Sequence, residues 1–344
     1  MLSASSDRID ATVVDFFSRM NQECVEYALL RNYENYPRFG HDIDLVVRWR
    51  DLPKLAAIAK CCAIDHGWSA LVACNHWARS SSPVHTIQIH RFFSIDPPQY
   101  LQIDAFHSFI VLGLPFFDED NLLRGRIKDP RGFYRINNHT ENFYRLFQIA
   151  SMATSKRAAE KTNRYRERAM SFWENAGDPA PLEGAVVPDM STAVDLLRKG
   201  ALRAFRNEVR RRSFTWWIEQ VSEHPFRSGK IIFHRLLDLP MLWLRPCGFI
   251  LRVFADDNIQ RKRLERIVQR LVAENVFITH TFSRNILERR RVRFVGGIVF
   301  VWTSAERADV IVEGQAGDQS VEHDLLIRII KRHPRLLEPG RTSN

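Results

Sequence analysis

LLRNYENYPRFGHDIDLVV, residues 29–47, carries the pattern that decides the fold. A short apolar strand ends at Arg31-Asn32, a polar turn follows, and a second strand opens with Asp42-Ile43-Asp44. Side chains alternate across a strand, so Asp42 and Asp44 share one face while Ile43, Leu45 and Val47 take the other. Two carboxylates side by side on a strand with a core-facing side repel each other unless positive charge lies close by. Magnesium supplies such charge, because it prefers hard oxygen ligands and is held by one or two carboxylates together with substrate phosphates. The alternative is a plain solvated strand face. A second carboxylate strand follows in YLQIDAF, residues 100–106, where Gln102, Asp104 and Phe106 oppose Leu101, Ile103 and Ala105.

With these residues in place, the chain resembles the polymerase β-like nucleotidyltransferase superfamily. The pattern of that family is an apolar residue, Gly, Gly or Ser, a spacer, carboxylate-apolar-carboxylate, and one more carboxylate on a later strand. Leu30 through Asp44 and Ile103-Asp104-Ala105 match it except at the Gly-Ser pair, where Arg31 and Asn32 stand. That replacement is similar to a bacterial subgroup met in surface-polysaccharide settings. The resemblance covers about the first half of the chain. It implies transfer of a nucleoside monophosphate from a nucleoside triphosphate to a hydroxyl acceptor, with release of pyrophosphate. It further implies that Asp42, Asp44 and Asp104 are the catalytic and metal-holding residues for two Mg2+ ions, about 3.5–4 Å apart as in two-metal sites. Arg31, Asn32 and Gly40 would form the nucleotide-binding turn, where the Arg31 guanidinium can grip a phosphate oxygen.

The chain has 344 residues, a length that suits two domains. Its 45% apolar and 26% charged residues fit a folded globular protein rather than a disordered one. MLSASSDRID lacks an apolar core segment, so no signal peptide is expected. The most apolar stretch, residues 231–255, is interrupted by Arg235, Asp238, Pro240, Arg245, Pro246 and Arg252, so no spanning helix is expected. Cys24, Cys61, Cys62, Cys74 and Cys247 show no metal-site spacing, which points to reduced thiols and a cytoplasmic location.

The net charge of +10 is uneven: residues 1–150 carry 16 basic against 17 acidic residues, and residues 151–344 carry 34 against 23. The excess is compatible with a polyanionic partner, and also with a solvated surface. It is densest around Arg198, Lys199, Arg203, Arg206 and Arg210-Arg211-Arg212, next to Trp216 and Trp217. A basic run beside aromatics can meet RNA or an anionic membrane, or can be an outer helix face with its tryptophans turned inward.

An α/β (α+β) organisation follows from the order of patterns. A helix over residues 11–20 leads into a strand over 25–31. After the Asp42 strand, Asp51 is placed to cap a helix bearing Leu52, Leu55, Ala56, Ala59, Cys62 and Ala63, which ends at Gly67. A strand spans residues 85–93, and Asp96-Pro97-Pro98 turns into the Asp104 strand. Asp118-Glu119-Asp120 suits a helix N-terminus. Asn138 and Glu141 have capping-box spacing for a helix carrying Phe143, Leu146, Phe147 and Ala150. Another helix covers residues 156–173, residues 176–190 read as a linker, and one long helix runs from 192 to about 221. Further strands are expected over 249–255, 276–282, 292–302 and 310–312. Helices are expected around Leu264–Leu271 and Leu325–Lys331, with a loose tail from Pro334. The resulting layout is a nucleotidyltransferase-like domain over 1–175, a basic helical connector over 176–245, a small α/β domain over 246–336, and a tail over 337–344.

Ser228-Gly229-Lys230 lacks the upstream glycine and preceding strand of a phosphate loop, because His224 stands where that glycine is needed. His41, next to the carboxylate pair but on the opposite strand face or in the turn, is a surface histidine or a helper, and His107, which faces away from Asp104, receives no role. Residues 246–271, PCGFILRVFADDNIQRKRLERIVQRL, are similar to the first strand and helix of a thymidylate kinase-like domain with its phosphate loop removed. Asp256 matches the loop aspartate, Phe254, Asp257 and Ile259 replace glycines, and Gln260 replaces the lysine. Besides the enzyme reading stand a non-catalytic scaffold responsive to nucleotide or polyanion, and an RNA-binding protein.

Overall fold

A computed structural model describes residues 3–39, 42–76, 86–95, 98–111, 114–152, 159–176, 190–244, 249–273, 280–294, 298–312, 318–332 and 336–337. The fold is mixed α/β, with one mixed sheet and one parallel sheet. The chain opens with α1 (Ser3–Gln22), β1 (Tyr27–Leu29), β2 (Asp42–Val47), α2 (Leu52–Asp65) and β3 (Ala70–His76). Then come β4 (Thr86–Ile95), β5 (Pro98–Val111), β6 (Leu114–Asp118), α3 (Glu119–Leu123), β7 (Ile127–Lys128) and β8 (Tyr134–Arg135). A helical stretch follows in α4 (Asn138–Met152), α5 (Ala159–Ala176), α6 (Ser191–Arg198), α7 (Leu202–Glu223) and α8 (Pro225–Leu244). The last part contains β9 (Phe249–Ala255), α9 (Asn258–Ala273), β10 (His280–Thr281), α10 (Ile286–Phe294), β11 (Ile298–Trp302), β12 (Val310–Val312), α11 (Asp318–Arg332) and β13 (Leu336–Leu337).

The large sheet runs β13-β3-β4-β5-β2-β1-β8-β7, with β6 also on β5. β2 lies at its middle, antiparallel to β1 and parallel to β5. Strand alternation splits these strands between two cores. Ile43, Leu45, Val47, Leu101, Ile103 and Ala105 pack with the buried side chains of α1 and α2. Val46, Ile89 and Phe106 pack on the opposite face with residues of α4, α5, α6 and α7. The carboxylates therefore belong to the second face, beneath the helical layer.

Several local expectations need correction. Asp51 stands at the N-cap of α2 without a side-chain capping bond. Its carboxylate instead accepts from the Glu26 backbone N–H at 3.0 Å, pinning β1 to the start of α2. The cap of α4 is Asn137, whose Oδ1 accepts from Thr140 N–H at 2.8 Å, while the expected partner Glu141 is fully buried and serves another purpose. The single helix expected over 192–221 is two helices, because Gly200 takes φ +73°, the left-handed conformation that ends helices. Val292 lies in α10, so the strand expected from it begins only at Ile298. Leu336 and Leu337 pair antiparallel with Val72 and Leu71, which places part of the expected tail in the large sheet. The expected linker over 176–190 lies almost wholly outside the described residues.

β9, β10, β11 and β12 form a four-stranded sheet in the order β10-β11-β9-β12, parallel throughout. The apolar run Phe249–Ala255 reads as a strand buried on both faces, but only one face is covered: Leu251, Val253 and Ala255 are buried while Ile250 and Arg252 are exposed. Leu264, Ile267, Val268 and Leu271 of α9 close one side of its core. That core also takes in Ala70, Phe93 and Tyr100 of the large sheet, so the two sheets share one hydrophobic cluster.

Shared burial makes the two sheets one cooperative unit. Phe300 is fully buried in the common cluster, its ring 4.8 Å from that of Phe282. Phe300→Ala should lower stability by about 3–5 kcal/mol, and denaturant unfolding should show one transition displaced as a whole. Two transitions, with only one displaced, would mean that the sheets unfold independently.

Candidate functional site

The site grows out of the register between β2 and β5. Asp42 pairs with Gln102, Ile43 with Ile103, and Asp44 with Asp104. Paired residues of neighbouring strands point to the same face, and neighbouring strands lie about 4.8 Å apart. The two carboxylates are thus neighbours by construction, with Asp42 one pleat away on the same face. β4 extends the row, since Ile89 pairs with Asp104 and Arg91 with Gln102.

Each end of this row carries a guanidinium. On one side Arg31 Nε donates to Asp44 Oδ2 at 2.5 Å, and both side chains are nearly fully buried. Burial opposes the Arg31 charge, and the Asp44 carboxylate together with Tyr144 and Tyr165 more than offsets that, holding the guanidinium protonated. The Arg31 Cζ lies 5.2 Å from the Tyr165 ring centroid, and Gln148, with its amide oxygen turned inward, accepts from Nη1 at 2.8 Å. On the other side buried Arg91 donates through Nε to Gln102 Oε1 at 2.9 Å, Tyr100 OH donates to the same oxygen, and Gln102 Nε2 donates to Asp104 Oδ1 at 2.8 Å. The row reads cation, amide, carboxylate, carboxylate, cation.

Asp104 carries the strain of this arrangement. Burial pushes its carboxyl well above the ordinary carboxylate range, and the charges of Asp44 and Asp42 push it further, while Arg91 opposes them. Three carboxylates face two guanidiniums, and the uncompensated charge sits at Asp42 and Asp104. Asp42, at the strand opening, is partly exposed and makes no hydrogen bond or ion pair with a described residue.

The turn between β1 and β2 is held from below. Asn32 has φ +61°; asparagine is among the few non-glycine residues that visit this left-handed region readily. It thereby does the conformational work of a glycine there. Tyr33 OH donates to Glu141 Oε2 at 2.6 Å, and Glu141, fully buried in α4, accepts from Arg145 Nε at 2.9 Å. Leu30 N–H donates to the Asp44 carbonyl at 3.0 Å, fastening the end of β1 to the carboxylate strand. Gly40 and His41 lie outside the described residues. His107 stacks edge-on against Trp49, with ring centroids 4.6 Å apart, and belongs to no part of the row.

The geometry joins Asp42, Asp44, Asp104 and Arg31 and sets Asn32 at the adjoining turn. Among the described residues, no three His, Cys, Asp or Glu side chains converge closely enough to hold a metal ion, and Asp44 Oδ2 is engaged by Arg31. The donor chemistry nevertheless suits a divalent cation. Three hard carboxylates share one face, and the charge surplus lies on the two that no guanidinium reaches directly. Arg91, Tyr100, Gln148, Tyr165 and the Glu141–Arg145 pair went unrecognised in the sequence. An arginine within the otherwise apolar run RFFSI, residues 91–95, was the available signal for Arg91.

At the end of β9, Asp257 Oδ1 accepts from the Gln260 N–H at 2.7 Å and so caps the N-terminus of α9.

Two measurements probe the charge row. Arg31→Met leaves Asp44 buried and uncompensated and should cost about 3–5 kcal/mol in denaturant unfolding, with most of it recovered in Arg31→Met/Asp44→Leu. For Asp104 the sign is opposite. A carboxyl whose folded-state pKa is raised binds its proton more tightly when folded, so stability falls as pH rises from the ordinary carboxylate range toward that raised value. Asp104→Asn should therefore be more stable than the parent at neutral pH, with the difference vanishing below the ordinary carboxylate range. A variant less stable at neutral pH would contradict the assigned repulsion.

In comparison with known proteins, no family model, no curated protein and no solved structure gives a significant match to the chain.

Proposed function

We propose that the protein is a magnesium-dependent nucleotidyltransferase, moving a nucleoside monophosphate from a nucleoside triphosphate to a hydroxyl acceptor. The observation that carries this reading is the register of Asp44 with Asp104 on adjacent parallel strands, with Asp42 on the same face. A nucleotidyltransferase fold is the finer reading of the mixed sheet: the carboxylate-apolar-carboxylate strand lies at the centre, the third carboxylate on its parallel neighbour, and helices cover both faces. Consumption of a nucleoside triphosphate fits the cytoplasm, and a surface-polysaccharide role fits the Arg31-Asn32 replacement.

Asp42, Asp44 and Asp104 would hold the metal, which when bound neutralises the triphosphate and lowers the pKa of the acceptor hydroxyl. Asp104, whose carboxyl burial and the neighbouring carboxylates push above the ordinary range, is the group suited to take the acceptor proton. Gln102 fixes its orientation, and Arg91 fixes Gln102. Arg31 stands where an incoming phosphate would approach the turn, and it has positive charge to share between that phosphate and Asp44. Tyr165 and Gln148 limit where the guanidinium can go.

One observation favours a non-catalytic alternative. The closed Arg31–Asp44 pair already neutralises one carboxylate, as it would in a scaffold that needs no metal. Pyrophosphate release from each of the four nucleoside triphosphates, with glycan and nucleoside hydroxyls as acceptors, separates the two readings. Release should require Mg2+ and fall at least about a hundredfold in Asp42→Asn and in Asp104→Asn. Calorimetry should show Mg2+-dependent nucleotide binding that both variants weaken. Nucleotide binding unchanged by both substitutions, or none in the parent protein, would favour the scaffold.

A further inference from the structure

The helical layer has an outer surface that the carboxylate site does not explain. α7 buries Phe205, Val209, Ser213 and Trp216 against the sheet. Its opposite stripe carries Arg203, Arg210, Phe214 and Ile218, all exposed and spaced so that they fall along one side of a 3.6-residue helix. α8 begins immediately after His224, and its first turns show Phe226, Lys230 and Phe233 at the same helical spacing, with Arg227 beside them. Phe226 is 94% exposed, and Phe214, Phe233 and Leu236 are each more than half exposed. Burying none of these side chains forgoes hydrophobic stabilisation that the fold could have used. Residues 198–235 carry ten Lys and Arg against three Asp and Glu, a net of +7 in one stretch. Glu208 takes up Arg211 and Arg212, while Arg203, Arg210, Arg227 and Lys230 are exposed.

We propose that the α7–α8 hairpin lies on an anionic lipid surface, with its arginines and lysines at the headgroups and Phe214, Ile218 and Phe226 at the acyl boundary. Three considerations select this occupant. Exposed Phe214, Ile218 and Phe226 lie among Arg210, Arg227 and Lys230, so apolar area and headgroup-directed cations share one surface. The positive charge complements the anionic leaflet rather than another copy of this basic chain. Single-stranded nucleic acid gains from aromatic rings on which bases stack, but aliphatic Ile218 and Leu236 offer no such platform and do offer area to acyl chains. No described helix is long and apolar enough to cross a membrane, and the proposed contact is therefore one of α7 and α8 along the surface.

The test uses the full-length protein and sedimentation with vesicles of phosphatidylcholine alone or of equal parts phosphatidylcholine and phosphatidylglycerol. Binding should appear with the anionic vesicles, be weak with the neutral ones, and decline as salt rises. Phe226→Glu should weaken it about tenfold or more, with an unchanged melting curve, because that side chain touches little of the protein. Arg227→Glu/Lys230→Glu should remove the preference for anionic lipid. Failure to sediment with either vesicle would overturn the proposal. So would full binding by Phe226→Glu, retention on single-stranded RNA in place of vesicles, or a dimer that Phe226→Glu converts to monomer without any vesicle binding.

Discussion

Two carboxylates on adjacent strands cannot both stay ionised without nearby positive charge, and this constraint organises the centre of the molecule. The parallel register of β2 and β5 places Asp44 beside Asp104 whatever their rotamers do. Everything around them responds to that fact. Arg31 leaves the end of β1 to reach Asp44, Arg91 crosses from β4 to support Gln102, and Gln102 turns its amide N–H groups toward Asp104. A purely structural sheet would have apolar side chains here, since replacing buried ion pairs by well-packed apolar residues is often neutral or stabilising. Retention of a repulsive pair instead is the physical basis of the nucleotidyltransferase proposal.

The helical layer over this face has two roles that follow from its amphipathicity. Its inner side covers the buried Arg31–Asp44 pair through Tyr144 and Tyr165, strengthening that interaction, while Asp42 and Asp104 stay partly exposed. Its outer side carries a large part of the positive charge of the chain, a net of +7 over residues 198–235, while residues 246–344 add 17 basic against 12 acidic residues.

Much of this was legible because alternation and spacing are local properties. The opposing sets Asp42/Asp44 and Ile43/Leu45/Val47 were readable from a period of two, as were β9 from its apolar run and the core face of α9 from a period near 3.6. What stayed hidden depends on partners distant in the chain. Glu141 looked like a capping residue because it stands three positions after Asn138, yet Tyr33, more than a hundred residues away, engages its carboxylate. Arg31 read as an open phosphate ligand because nothing nearby in sequence announces that Asp44 will face it. Asp51 likewise looked like a cap until the strand bearing Glu26 came alongside. Gly200 was overlooked as a helix break because the apolar pattern continues past it into Phe205 and Val209.

The central claim is that Asp42, Asp44 and Asp104 form a cation site which Arg31 partly occupies in its absence. Anomalous diffraction from crystals grown with Mn2+ and a non-hydrolysable nucleoside triphosphate tests it most directly. The account predicts a peak among the three carboxylates, with the Arg31 guanidinium drawn from Asp44 toward a phosphate oxygen. No peak at saturating Mn2+, with the Arg31–Asp44 pair intact, would contradict it.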